Sequence, residues 1–209
     1  FSLRSRASNF SLGEIKELVD FANAHHSHVH VTVNMLPHED DLDGLEEYLK
    51  KLDEIGIHAI IVASPSIMML AKRLNVSYQV HVSTQHSSTN SKAVSFWKEK
   101  GMDRVVLARE CQMEQIEEIC KKNILPIEVF IHGALCNSYS GCCLFSSMNG
   151  GRSGNRGECT QPCRLPYKLI KNGEYVATIN KYLLSTKELN TIHNFDKLMK
   201  SDIVSFKIE

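Results

Sequence analysis

Hydrophobic and polar positions follow two rhythms along the first two thirds of the chain. Residues 13–24, 41–55, 65–74, 91–100 and 113–122 place apolar side chains every third or fourth position, as Ile15, Leu18, Val19 and Ala22 do. That spacing predicts amphipathic helices. Between them lie short β-branched runs at 30–33, 59–62, 80–83, 104–107 and 127–131. Such runs predict strands of a buried parallel sheet. Strand followed by helix, repeated, predicts βαβ units and the α/β class. Polar residues stand at the strand ends: Asn34, Ser64, Thr84 with Gln85, Arg109 with Glu110, and His132. Parallel barrels and open doubly wound sheets both build their sites at that end.

The rhythm stops from Gly133 to Arg164, where Gly, Ser, Asn and Cys dominate. A long irregular loop of this kind is usually functional. A hairpin is predicted next, pairing 167–170 with 175–179 around Asn172-Gly173. Ser185 with Glu188 reads as a capping box that opens a last helix to about Lys200, followed by a strand at 203–208. The expected organisation is one domain over 1–209, with a cysteine-rich loop and hairpin inserted at 133–180. The start at Phe1 and the end straight after a strand-like run lead us to expect an incomplete chain.

Composition narrows the function classes. Lys plus Arg and Asp plus Glu are 24 each, so no global basic field marks a nucleic-acid binder and any such contact must be local. No apolar run reaches the roughly 20 residues of a membrane helix. Seven cysteines, an odd number, argue against a fully paired secreted scaffold and for a reducing, cytoplasmic setting with thiolates available for a metal. Cys136, Cys142, Cys143, Cys159 and Cys163 crowd the irregular loop. Thiolates select iron–sulfur clusters or zinc. Cys136 with Cys143 and Cys159 with Cys163 supply the four that a 4Fe-4S cluster needs, while Cys142 is expected to point away. The spacing is not that of a zinc ribbon, and zinc is the alternative metal. Cys111 and Cys120 are expected to be small buried hydrophobes.

Weaker signals are read as structural. His25, His26, His28 and His30 are expected at a helix end and on a strand, and Asp40, Asp41 and Asp43 at a helix start. No HExxH or GxSxG run exists, and His132 near Cys136 is the one sequence neighbour for a cysteine nucleophile.

The run EVFIHGALCNSYSGCCLFSS resembles the signature of peptidase family U32 at Glu128, Phe130, Gly133, Ala134, Cys136, Gly141, Cys143 and Ser146. GGRSGNRGECTQPCRLPY, VTVNML, STQ, RVVLARE and SFKIE are similar to the family as well. The resemblance implies a (β/α)8 TIM-barrel-like fold, here incomplete with about six of eight strands. It implies an iron–sulfur enzyme, with RNA (tRNA uridine) hydroxylation and a prephenate-like oxygen donor as the leading function. Collagenase-like proteolysis is the alternative, and an inactive fragment or binding module the third. Cys142 and Cys111 depart from the family's usual residues. Arginine forks suit carboxylates and phosphates. The expected substrate-binding set is therefore Thr84, Gln85, Arg109, Glu110, His132, Arg152, Asn155, Arg156 and Arg164, with tRNA or rRNA as expected partner.

Overall fold

The computed structural model describes residues 1–2, 8–139 and 142–209. Five helices and strands alternate first: α1 (Leu12–Ala24), β1 (His30–Val33), α2 (Leu45–Ile55), β2 (Ala59–Val62), α3 (Pro65–Leu74), β3 (Gln79–Val82), α4 (Ser91–Glu99), β4 (Arg104–Val106), α5 (Met113–Lys121) and β5 (Ile127–Gly133). Then come α6 (Phe145–Gly150), a hairpin of β6 (Leu169–Lys171) and β7 (Glu174–Val176), β8 (Leu189–Asn190), α7 (Phe195–Lys200) and β9 (Ser205–Ile208).

Strands β1 to β5 pair in chain order and parallel, and β9 returns to pair parallel with β5. Six parallel strands thus form a curled half-barrel, the α/β, incomplete (β/α)-barrel arrangement that the periodicity and the family resemblance imply. Two-residue β8 adds an antiparallel pairing at the end of β5.

Side chains alternate across a strand, so each strand has an outer and an inner set. The outer set is apolar. Val33, Ile60, Val62, Val80, Val82, Val105 and Leu107 are at most 1% exposed, packed with Leu49, Leu52, Ile67 and Met68 of the helices. Truncating either of these helix leucines to Ala would cost about 2–5 kcal/mol. The inner set mixes polar, charged and apolar side chains. Register places Thr32, Ile61, His81 and Arg104 side by side across four strands, and Phe130 beside Lys207. Barrel interiors usually hold branched hydrocarbons; this one holds charge.

Two local expectations fail. No helix opens at Ser185: β8 and a 3-10 turn at Ile192–Asn194 precede α7. Ser185 and Glu188 do not cap; both accept hydrogen bonds from Arg164, at 2.8 and 3.0 Å. A buried-side guanidinium with several acceptors outweighs a cap worth about 1 kcal/mol. The loop from Gly133 to Arg164 is not without structure either, since α6 and 3-10 turns at Gly154–Arg156 and Pro162–Arg164 shape it. The hairpin is shorter than expected, but its turn stands: Asn172 and Gly173 both have positive φ, 52° and 84°, as a type I′ turn requires.

Candidate functional site

A cavity of about 630 Å³ opens at the C-terminal ends of the strands. Its barrel side is walled by Asn34 after β1, Ser83, Thr84 and Gln85 after β3, Arg109 after β4, Phe130 of β5, and Lys207 and Glu209 of β9 and its end. Its other side is the cysteine segment, contributing Cys136, Cys142, Cys143, Cys159 and Cys163. All five loop thiols therefore share one wall. Cys142, expected to turn away, lines it too and is exposed, whereas Cys143 is half-buried. Gly141 of the signature lies outside the described residues.

Several contacts hold the cysteine segments against one another. A Cβ on Gly154 would lie 3.6 Å from Cys159 Cβ and 4.0 Å from Cys143 O, so the backbone at Gly154 holds those two segments in contact. Buried Ser146 accepts from Thr160 N–H at 3.0 Å and donates to Cys159 Sγ at 3.7 Å. Gln161 N–H points at the same sulfur at 3.4 Å. Burial raises the Cys163 thiol above its ordinary value, the neighbouring Cys136 and Cys159 raise it further, and Arg164 opposes them. Among the described residues no three His, Cys, Asp or Glu side chains stand at ligating distance of one point. The donor set, four or five thiols on one wall, nevertheless has the chemistry that an iron–sulfur cluster demands.

Opposite the thiols sits a charged layer. Arg109 donates to Ala134 O at 2.7 Å and to the Glu209 carboxylate, with its guanidinium 4.0 Å over the Phe130 ring. Lys207 lies 5.5 Å from the same ring and 3.1 Å from Glu128, which also accepts from Arg104 at 3.1 Å. Burial alone would raise the Glu128 carboxyl, but Lys207, Arg104 and Ser205 together hold it below the usual range. Three cations, Arg104, Arg109 and Lys207, thus face two carboxylates, Glu128 and Glu209, leaving one positive charge over. Arg109 Nε and Gln85 Oε1 are buried and have no partner among the described residues.

The substrate-binding set divides. Thr84, Gln85, Arg109 and Asn155 line the cavity. Glu110, His132 and Arg152 are exposed and off its wall. Arg156 is committed to Asp41, at 2.5 Å, and to Leu36 O. Arg164 is committed to Leu135 O, Thr186 O, Ser185 and Glu188. Both arginines clamp the loop to the barrel. Phe130, Lys207 and Glu209 were missed as wall residues; the alternation in EVFIH and SFKIE is the signal that finds them. The histidines go elsewhere. His25 Nδ1 contacts Phe21 O at the end of α1. His28 stacks on His58 at 4.1 Å, His30 on His58 at 5.3 Å, and His30 meets His81 edge-on at 5.2 Å, at the N-terminal mouth of the barrel.

A parallel half-barrel whose strand ends face a thiol-lined loop defines a (β/α)-barrel protein with a cysteine-walled, charged pocket. The model of peptidase family U32 matches residues 1–209, and the chain belongs to that family. It is 43% identical to the tRNA hydroxylation protein P1 of Bacillus subtilis (strain 168), over 100% of this chain and 51% of that protein. It is 39% identical to a 23S rRNA 5-hydroxycytidine synthase of Escherichia coli (strain K12), covering 100% of this chain and 31% of that one. A protein named collagenase from Porphyromonas gingivalis is 34% identical over 100% of this chain and 53% of its own length. The chain thus spans about half, or less, of these relatives. The solved U32 peptidase Mk0906 shares the fold, with a TM-score of 0.53 at 14% identity, over 95% of this chain and 76% of that one. Among the described residues no helix is long and apolar enough to cross a membrane.

Proposed function

We propose that this chain is the cluster-holding and substrate-binding part of an enzyme that hydroxylates an RNA base, a tRNA uridine in the leading reading, in the cytoplasm. The observation that carries the reading is the joint wall: five thiols face Arg109 and Lys207 across one cavity. Relatives named for tRNA and rRNA hydroxylation support it. Cys136, Cys143, Cys159 and Cys163 would hold a 4Fe-4S cluster, with zinc the alternative occupant. A bound cluster supplies one-electron chemistry. Arg109 and Lys207 hold an anion, either an RNA phosphate or a dicarboxylate oxygen donor of the prephenate type. Thr84 and the Gln85 carbonyl oxygen, which has no partner among the described residues, would orient a base by hydrogen bonds.

The peptidase alternative takes its support from the family name and the collagenase relative. Among the described residues, however, no histidine lines the cavity to activate a cysteine. The test is anaerobic purification of the full-length protein with iron and sulfide quantification, plus nucleoside mass spectrometry of RNA from cells with and without the gene. Iron retained by wild type and lost in the Cys136→Ser, Cys143→Ser, Cys159→Ser and Cys163→Ser variants, but not in Cys142→Ser, is expected. RNA of unchanged composition in the deletion strain refutes the hydroxylase reading.

A further inference from the structure

The β6–β7 ribbon is paired with no strand of the main sheet. Its register sets Ile170 opposite Tyr175, and both are about two-thirds exposed, 64% and 62%. Such side chains are normally covered. The ribbon and its flanks also concentrate charge. From Leu165 to Lys187 the chain carries Lys168, Lys171, Lys181 and Lys187 against Glu174 alone, +4 and −1, a local net of +3 in a chain of net zero. All four lysines are exposed. Lys181 holds its ammonium 5.3 Å over the ring of Tyr182, itself 42% exposed.

The base of the ribbon is bolted to the cavity. Tyr167 donates its hydroxyl to Pro162 O at 2.8 Å and its N–H to Lys181 O at 2.7 Å. Pro162 lies on the cavity wall between Cys159 and Cys163. Arg164, two residues on, ties the same corner to Leu135 O and to Thr186 O, closing the segment behind the ribbon. The base of the ribbon is therefore fixed to one corner of the cavity wall.

We propose that the ribbon is an RNA-docking arm: Lys168, Lys171 and Lys181 meet phosphates and Tyr175 offers its ring to an unstacked base, so that a neighbouring nucleotide is delivered to the cavity. The mixture of features favours RNA over a protein partner. Protein interfaces deplete lysine at their centre, whereas single-stranded RNA is gripped by cations along the backbone and by aromatic rings under the bases. The inference rests on the RNA reading above and adds where the substrate is held.

The experiment is fluorescence anisotropy of the full-length protein with a fluorescein-labelled tRNA anticodon stem-loop at several KCl concentrations. The variants are the triple K168Q/K171Q/K181Q, Y175A, Y175F, and a charge-matched control on the helical side, K92Q/K98Q/K121Q. Thermal melts verify that each is folded. The ribbon triple is expected to raise Kd about tenfold or more. It should also flatten the slope of log Kd against log salt by about 2, three lost phosphate contacts at roughly 0.7 each. Y175A is expected to weaken binding about fivefold or more, and Y175F to restore it, as stacking requires. The control should stay within about twofold of wild type. If wild type binds RNA and the ribbon triple matches the control, the docking arm is wrong and the RNA reading survives. If wild type binds no RNA, both fall together. If the triple keeps RNA binding but loses self-association, the ribbon is a protein interface and the inference is overturned.

Discussion

Gly133 ends β5 with φ of +125°, a conformation that residues with a Cβ rarely adopt. A Cβ added there would press into the carbonyl oxygen of Glu209 and lie 3.1 Å from its carbonyl carbon and from its own Cβ. The obstacle is backbone, so a side-chain rotation cannot relieve it. Glu209 N–H donates to His132 O at 3.1 Å, and Arg109 bridges Ala134 O and the Glu209 carboxylate. Gly133→Ala must therefore push β9 away from β5 and pull the Arg109 bridge apart. The dihedral costs about 1–3 kcal/mol and the overpacking about 1–3 kcal/mol more, roughly 2–6 in all against a typical total stability of about 5–15 kcal/mol. Gly44, at φ +74° with open space within 4 Å of where a Cβ would stand, is the control for the dihedral alone; Gly44→Ala should cost only about 1–2 kcal/mol. Urea titration followed by far-UV circular dichroism and by the fluorescence of Trp97, the single tryptophan and 8% exposed, measures both. A Gly133→Ala loss no larger than that of Gly44→Ala, at unchanged m, would refute the argument that the ends of β5 and β9 are held in hard contact.

Two further outcomes are expected. Burial, with Arg104 nearby, pushes His81 down to about 3, and burial with His58 pushes His30 down to about 4. Both stay neutral in the folded state, so below pH 6.5 the unfolded chain binds protons that the folded chain refuses. Stability should fall with pH, by up to about 1.4 kcal/mol per pH unit for each ring, with His30 ceasing to contribute below about pH 4 and His81 below about pH 3. Urea midpoints from pH 7 to 4 test this, and a His81→Gln variant with the slope of wild type contradicts it. Burial also pushes the Cys111 and Cys120 thiols up to about 11, whereas Cys136, Cys142 and Cys159 are exposed. Iodoacetamide at pH 8 followed by peptide mass spectrometry of metal-free protein should label those three first, and early labelling of Cys111 or Cys120 would show that the strand-end and helix packing opens readily.

Sequence periodicity located all six parallel strands because their outer faces must be apolar to receive helices, and that demand is written locally in Val, Ile and Leu. The inner face was harder to read. QVHVS, EVFIH and SFKIE alternate, yet their apolar halves are rich enough to pass for strands buried among hydrocarbon on both sides. The last helix failed for a different reason: Ser185 and Glu188 match a cap, but Arg164, about twenty residues upstream, takes both. A local motif cannot report a long-range competitor. That the loop cysteines would share one wall of a cavity was legible in their crowding. Which arginines would be spent as clamps was not, because that depends on where Asp41 and the Leu135 carbonyl come to lie.

The return of β9 to β5 also joins distant parts of the chain. Strands β1 to β5 each pair with the next in the chain, each joined to it by a crossover that carries one helix. Pairing of Val129 with Phe206 must instead close a loop holding everything from Ala134 to Val204, and distant closures of this kind are slow because chain entropy is lost before the contact forms. Lys207 and Glu209 arrive only with that strand, and with them the partners of Glu128 and Arg109. The contacts that complete the charged layer are thus among the most distant in sequence, Arg109 to Glu209 and Glu128 to Lys207. The charged wall of the cavity therefore depends on a strand whose pairing is distant in sequence.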